Sequence, residues 1–132
     1  MKNLFKQGDN KELRFVVKES DFATFDGEVV HSVCSTFSLA REIEWATRQF
    51  VLEMRDRDEE GIGTFLTIEH LNPAFVNEEI KISSAVVSIN GHEIICSYIA
   101  RVGERIIATG KTGQKIFKRD KIATMFRKPE SL

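Results

Sequence analysis

The chain is poor in the residues that build special architectures. Its two cysteines among 132 residues, Cys34 and Cys96, are too few and too far apart for a disulfide framework or a zinc site. Both read as small core fillers in a reduced, cytoplasmic setting, and no metal or cofactor is expected. Two prolines and eight glycines exclude a collagen-like or low-complexity chain. Neither sign of charge dominates: 19 Lys and Arg face 20 Asp and Glu, a net charge of -1. That balance argues against a nucleic-acid partner, which usually leaves a basic footprint. The longest apolar runs, such as Ile94-Ile95-Cys96, fall far short of the roughly 20 residues of a membrane helix. Met1 to Lys6 has no apolar segment behind its charge, so neither a membrane span nor a signal peptide is expected. What is present is 42% hydrophobic and 30% charged residues, enough for one domain over residues 1–132.

Two textures divide that domain. From Ser38 to Met54 the apolar positions Leu39, Ile43, Ala46, Phe50 and Met54 recur at spacings of three and four, the stripe of one amphipathic helix. Thr36 or Ser38 serves as its N-cap, and Arg55 to Glu60, a charged run before Gly61, reads as a solvated turn that ends it. Beyond Gly61 the period changes to two. Ile62, Thr64, Leu66, Ile68 and His70 share one face of a strand that stops at Pro73. Ile80–Ile89 and Glu93–Arg101 flank Asn90-Gly91, a strong hairpin signal, and Arg105–Phe117 is the last strand. Gly110 and Gly113 mark bulges or close approaches within it. Leu13–Lys18 is a fifth strand near the start. Strand, long helix, then a meander of four strands is an α+β order, and five antiparallel strands with one long helix hide their apolar face by curling around it. The basic tail, about 118–132, reads as frayed or as a short closing helix.

Few residues can carry chemistry. No nucleophile elbow, phosphate loop or zinc-binding His-Glu-x-x-His is present. Thr36, Glu44 and His70 remain. Thr36, Ala40 and Glu44 follow at intervals of four and project to one side of the helix. Glu44 borders the buried stripe, unlike Glu42 or Glu53, and His70 closes the strand after the helix. A hydroxyl, an imidazole and a carboxylate together form the kit for acyl transfer: the base takes a proton from the hydroxyl or a water, and the carboxylate orients the imidazole. Amides at the helix N-terminus add an oxyanion site. Each residue also has a plainer reading, as a cap, a surface histidine, or a rim carboxylate paired with Arg41 or Arg48.

Thr36–Ala46 (TFSLAREIEWA) and Gly63–His70 (GTFLTIEH) resemble the fluoroacetyl-CoA thioesterase branch of the hotdog-fold superfamily. Its pattern has a Thr eight residues before a Glu-Trp-Ala, a Gly-Thr whose Gly lies seven residues before a His, and a Gly in the next hairpin. Thr36, Gly63 and Gly91 stand at those positions, and the resemblance spans roughly Val30 to Phe117. It implies a hotdog fold, an acyl-CoA thioesterase acting through a triad of Thr36, Glu44 and His70, and a homodimer whose clefts receive coenzyme A. It also implies that Gly63 lets the thioester approach the backbone. One departure stands out. Where the family's last strand tends to read Gly-Thr-His-x-Arg, this chain has Gly110-Lys111-Thr112-Gly113-Gln114. Gln114, the implied substrate-binding position, hydrogen-bonds but supplies no positive charge, so a charged or strongly polar small acid is not the expected acyl group. Lys115, Lys118 and Arg119 are either solvated or hold the CoA phosphates. A non-catalytic acyl-CoA-binding domain and an enoyl-thioester hydratase are the competing readings.

Overall fold

The computed structural model describes residues 1–130; the last two positions of the basic tail lie outside the described residues. Strand β1 (Asn10–Val16) leads through a 3-10 turn (Glu19–Asp21) into a hairpin of β2 (Phe22–Phe25) and β3 (Glu28–Cys34). Helix α1 (Thr36–Met54) follows, then β4 (Glu59–Leu66), the short β5 (Glu69–His70), β6 (Glu79–Asn90), β7 (Glu93–Val102), β8 (Arg105–Lys118) and α2 (Arg119–Met125). The main sheet is antiparallel in the order β1-β6-β7-β8-β4, with β5 added to β8 beyond β4.

Helix α1 packs against both outermost strands, β1 and β4, as well as β6 and β8. A flat sheet of five strands is roughly 19 Å wide at about 4.8 Å per gap. A helix about 10 Å across reaches both edges only if the sheet curls. The expected wrap around one central helix is therefore present. The helix stripe does what its spacing predicts: Leu39, Ile43, Ala46, Phe50 and Met54 are all buried. Burying a side chain such as Leu39 or Ile43 contributes about 1.5–3 kcal/mol each. Cys34 and Cys96 are core residues, and burial pushes both thiols up to about 12.

Three expectations change, and a fourth feature is new. Only β6, β7 and β8 form a meander; β4 crosses to the far side of β8. Gly113 makes that pairing possible, because a Cβ there would lie 2.2 Å from the Phe65 ring. Second, the face assignment from Ile62 to His70 holds only in its later half. A bulge between Gly63 and Phe65 switches parity. Before it Gly61 faces Val51 of the helix, and after it Leu66 and Ile68 pack on the core. Third, the charged run is not a solvated turn. Glu59 and Glu60 begin β4, Glu59 is 3% exposed, and Glu60 gathers Arg48, Arg55 and Arg119. Fourth, the hairpin of β2 and β3 went unassigned in the sequence, although Asp26-Gly27 carries its signal: both residues have positive φ (51° and 78°), the type I′ requirement.

Acid sensitivity follows from carboxylates held below their ordinary values, of which Glu78 and Glu60 are two. Arg105 and the amide of Phe75 hold Glu78 below the ordinary carboxyl value of 4.5. Burial pushes Glu60 up, but the Gly61 amide, Arg48 and Arg55 outweigh it, so Glu60 also ends below 4.5. Groups with depressed folded values contribute stability that is complete above the unfolded value and drains as pH falls through the folded one. The urea midpoint should hold steady from neutrality down to about pH 5 and then fall, with a shallower fall in Glu78→Gln. A midpoint rising on acidification would contradict these two assignments.

Candidate active site

The start of α1 decides what Thr36 is free to do. Ser35, not Thr36 or Ser38, is the N-cap: its side chain accepts from the Ser38 amide at 3.0 Å. Thr36 is the first helical residue, so its hydroxyl is not consumed by capping. It meets His70 instead, with Oγ1 and Nδ1 3.0 Å apart. His70 comes to that point on β5, whose register on β8 pairs it with Ala108. The other ring nitrogen, Nε2, is buried and has no hydrogen-bond partner among the described residues. A hydroxyl thus sits on one nitrogen of a histidine whose second nitrogen waits for a partner.

Glu44 does not join this pair within the chain. Two helical turns separate it from Thr36, roughly 12 Å of rise, and among the described residues its carboxylate bonds to neither partner. Nor does it pair with Arg41 or Arg48, which bind Asp21 and Glu42 and Glu60 respectively. The contrast with Glu42 is reversed, since Glu44 is the more open of the two. Glu44 lines a cavity of about 260 Å³ together with Trp45, Gly63, Phe65, Thr112 and Gln114. A Cβ on Gly63 would lie 3.9 Å from Glu44 Oε1 and nearer to nothing else among the described residues, so packing within the chain does not demand glycine there. The absent side chain leaves the backbone of β4 open to the cavity.

The cavity floor is polar but uncharged. Gln114 is 7% exposed and its amide donates to the Thr47 carbonyl at 3.1 Å. The Thr112 hydroxyl is buried without a partner among the described residues. A second cavity, lined by Phe22, Phe25, Thr36 and Phe37, opens on the Thr36 side, and Arg41 lines both, so the two halves of the site adjoin at its side chain. Lys118 and Arg119, two of the tail residues considered for phosphate binding, are engaged by Asp58 and Glu60. The aromatic walls from Phe22 to Phe37 were not anticipated, because the hairpin that supplies most of them was not.

A family model for fluoroacetyl-CoA-specific thioesterases matches residues 17–120. Among solved structures, a hypothetical protein from Thermus thermophilus described as a thioesterase superfamily member is 24% identical. It covers 95% of this chain and 93% of its own, with a TM-score of 0.89. The fluoroacetyl-CoA thioesterase FlK is 16% identical, covering 95% of this chain and 98% of its own, with a TM-score of 0.84. A hot-dog-like protein from Thermanaerovibrio acidaminovorans, 17% identical, covers 96% of each chain with a TM-score of 0.84. A search of curated proteins gives no match. The shared architecture is the hotdog fold, and with the family model spanning most of its length the chain belongs to the fluoroacetyl-CoA-specific thioesterase family of thioester hydrolases.

Proposed function

We propose that the protein hydrolyses a small or medium neutral acyl-CoA through His70, Thr36 and Glu44. The observation that carries this reading is the 3.0 Å contact between Thr36 Oγ1 and His70 Nδ1, with the buried Nε2 left unpartnered. With Nδ1 unprotonated, it accepts from the Thr36 hydroxyl or a water in its place, and Nε2–H then requires an acceptor. A carboxylate meets that requirement and stabilises the imidazolium that forms. Water adds across the acyl C–S bond: its oxygen goes to the carbonyl carbon and a proton to the CoA sulfur. The amides of Thr36 and Phe37, at the positive end of α1, favour the oxyanion. Direct attack by Glu44 through an anhydride is the competing route, supported by its open position beside Gly63.

A homodimer would resolve the distance between Glu44 and the Thr36–His70 pair. β4 is an edge strand of the main sheet and carries Gly63 and the exposed Phe65, with the exposed Trp45 lining the same cavity. Unprotected edges of this kind invite pairing with another strand. A second copy seated there closes the cavity and brings its own carboxylates and imidazoles to the boundary. Among the described residues, no helix is long and apolar enough to cross a membrane, and two buried thiols suit a reducing cytoplasm.

The uncharged floor at Gln114 and Thr112 fits acyl groups without a carboxylate. A panel of acetyl-, fluoroacetyl-, butyryl-, crotonyl- and malonyl-CoA followed by released thiol should give the highest kcat/KM among the neutral esters and the lowest with malonyl-CoA. Thiol release from none of them, nor from hexanoyl- or octanoyl-CoA, would overturn the assignment.

A further inference from the structure

The strand that carries His70 is broken one step before β5, and the break has its own machinery. Leu66 pairs with Thr112 and Glu69 with Thr109, so the register is the same on both sides and Thr67 faces Lys111. An unbroken ladder would exchange two backbone hydrogen bonds between them. One is made: the Thr67 amide donates to the Lys111 carbonyl at 2.9 Å. The other is replaced. The Lys111 amide donates to the side-chain hydroxyl of Thr67 at 2.9 Å. The Thr67 carbonyl has left the ladder and accepts from the Tyr98 hydroxyl at 2.7 Å.

Tyr98 is 2% exposed and stands on β7 opposite Gly110 of β8. Its hydroxyl reaches the next strand by passing over that glycine. A Cβ at Gly110 would lie 2.7 Å from the Tyr98 hydroxyl and 2.0 Å from the Thr67 carbonyl oxygen. The position needs space, not a special φ. A carbonyl turned out of a ladder must find another donor, and Tyr98 provides it. Lacking that donor, the carbonyl gains by swinging back to the Lys111 amide, which straightens the chain and redirects Ile68 to His70.

We propose that Thr67, Tyr98 and Gly110 form a clasp that sets the direction of the chain into β5 and thereby holds His70 Nδ1 on Thr36. Thr67 and Tyr98 are positioning residues: neither touches the reacting atoms, and their catalytic effect rests on the reading of His70 as the base. A displacement of about 1 Å at a reacting group costs on the order of 100-fold in rate. Tyr98→Phe and Thr67→Val should each lower kcat about 10- to 100-fold with KM little changed. Combining them should cost no more than the worse single variant, since both open one clasp. Thr67→Ser, which keeps the hydroxyl, should restore the rate.

The readout independent of activity is the ring-nitrogen NMR signal of His70 in nitrogen-15-labelled protein. Tyr98→Phe should move it toward the signal of Thr36→Ala, where the hydroxyl partner is gone. A His70 signal and a kcat pH profile that both stay as in the wild type in Tyr98→Phe would overturn the clasp, even if the melting temperature falls. Should Tyr98→Phe not fold, Thr67→Val answers the same question. Should the wild type hydrolyse no CoA ester, the proposed function fails while the ring signals still decide whether the clasp exists.

Discussion

His70→Ala should lower kcat for the preferred CoA ester by about 10²- to 10⁴-fold, the range that a positioned general base supplies. KM should change little, because the imidazole acts on the proton of the attacking group rather than on the bulk of CoA. The protein should stay folded. Among the described residues His70 contributes one side-chain hydrogen bond, to a hydroxyl at the first turn of α1. Losing one exposed hydrogen bond costs about 0.5–1.5 kcal/mol, small beside the stability of a domain of this size. Released thiol and a thermal melt on the same preparation check both halves of the expectation. A folded variant with the wild-type rate would remove His70 from the mechanism.

Glu44→Gln should be nearly as damaging, about 10²-fold or more in kcat, while keeping the volume and most of the hydrogen-bonding shape of the side chain. Among the described residues the carboxylate is in no ion pair, Arg41 and Arg48 being engaged by other carboxylates, so the substitution should leave the melting temperature unmoved. The more informative measurement mixes two dead variants. If Glu44 of one copy serves the Thr36–His70 pair of another, a heterodimer of Glu44→Gln with His70→Ala contains one site free of both lesions. Activity then returns on mixing to about a quarter of the wild-type value, the statistical share when subunits exchange freely. If each protomer uses its own three residues, every site keeps a lesion and mixing restores nothing.

What the sequence made legible follows its local periodicities. The apolar stripe from Leu39 to Met54 placed the helix and its buried face, and Asn90-Gly91 placed the tight turn between β6 and β7, where Gly91 has positive φ. Gly110 and Gly113 were legible as close approaches, though not what approaches them. Non-local features were harder to read. A bulge changes the parity of β4 without changing its composition, and β4 reaches β8 across the sheet by a pairing that no neighbouring residues encode. In the site, Thr36 and His70 lie 34 positions apart and their contact depends on Ser35 taking the cap and on the break at Thr67. The motif spacing named Glu44 as their companion, yet helical rise alone keeps it distant within one chain.

The two sulfhydryls have a practical corollary at the bench. A thiolate, not a thiol, attacks an aromatic disulfide reagent, and both protein sulfurs are enclosed, with ionisation displaced to about 12. Colour developed near neutrality by the native enzyme therefore comes from liberated coenzyme and carries almost no background from the catalyst. The same silence is a built-in gauge of integrity. Two equivalents of reagent consumed without substrate signal that the core holding Cys34 and Cys96 has opened.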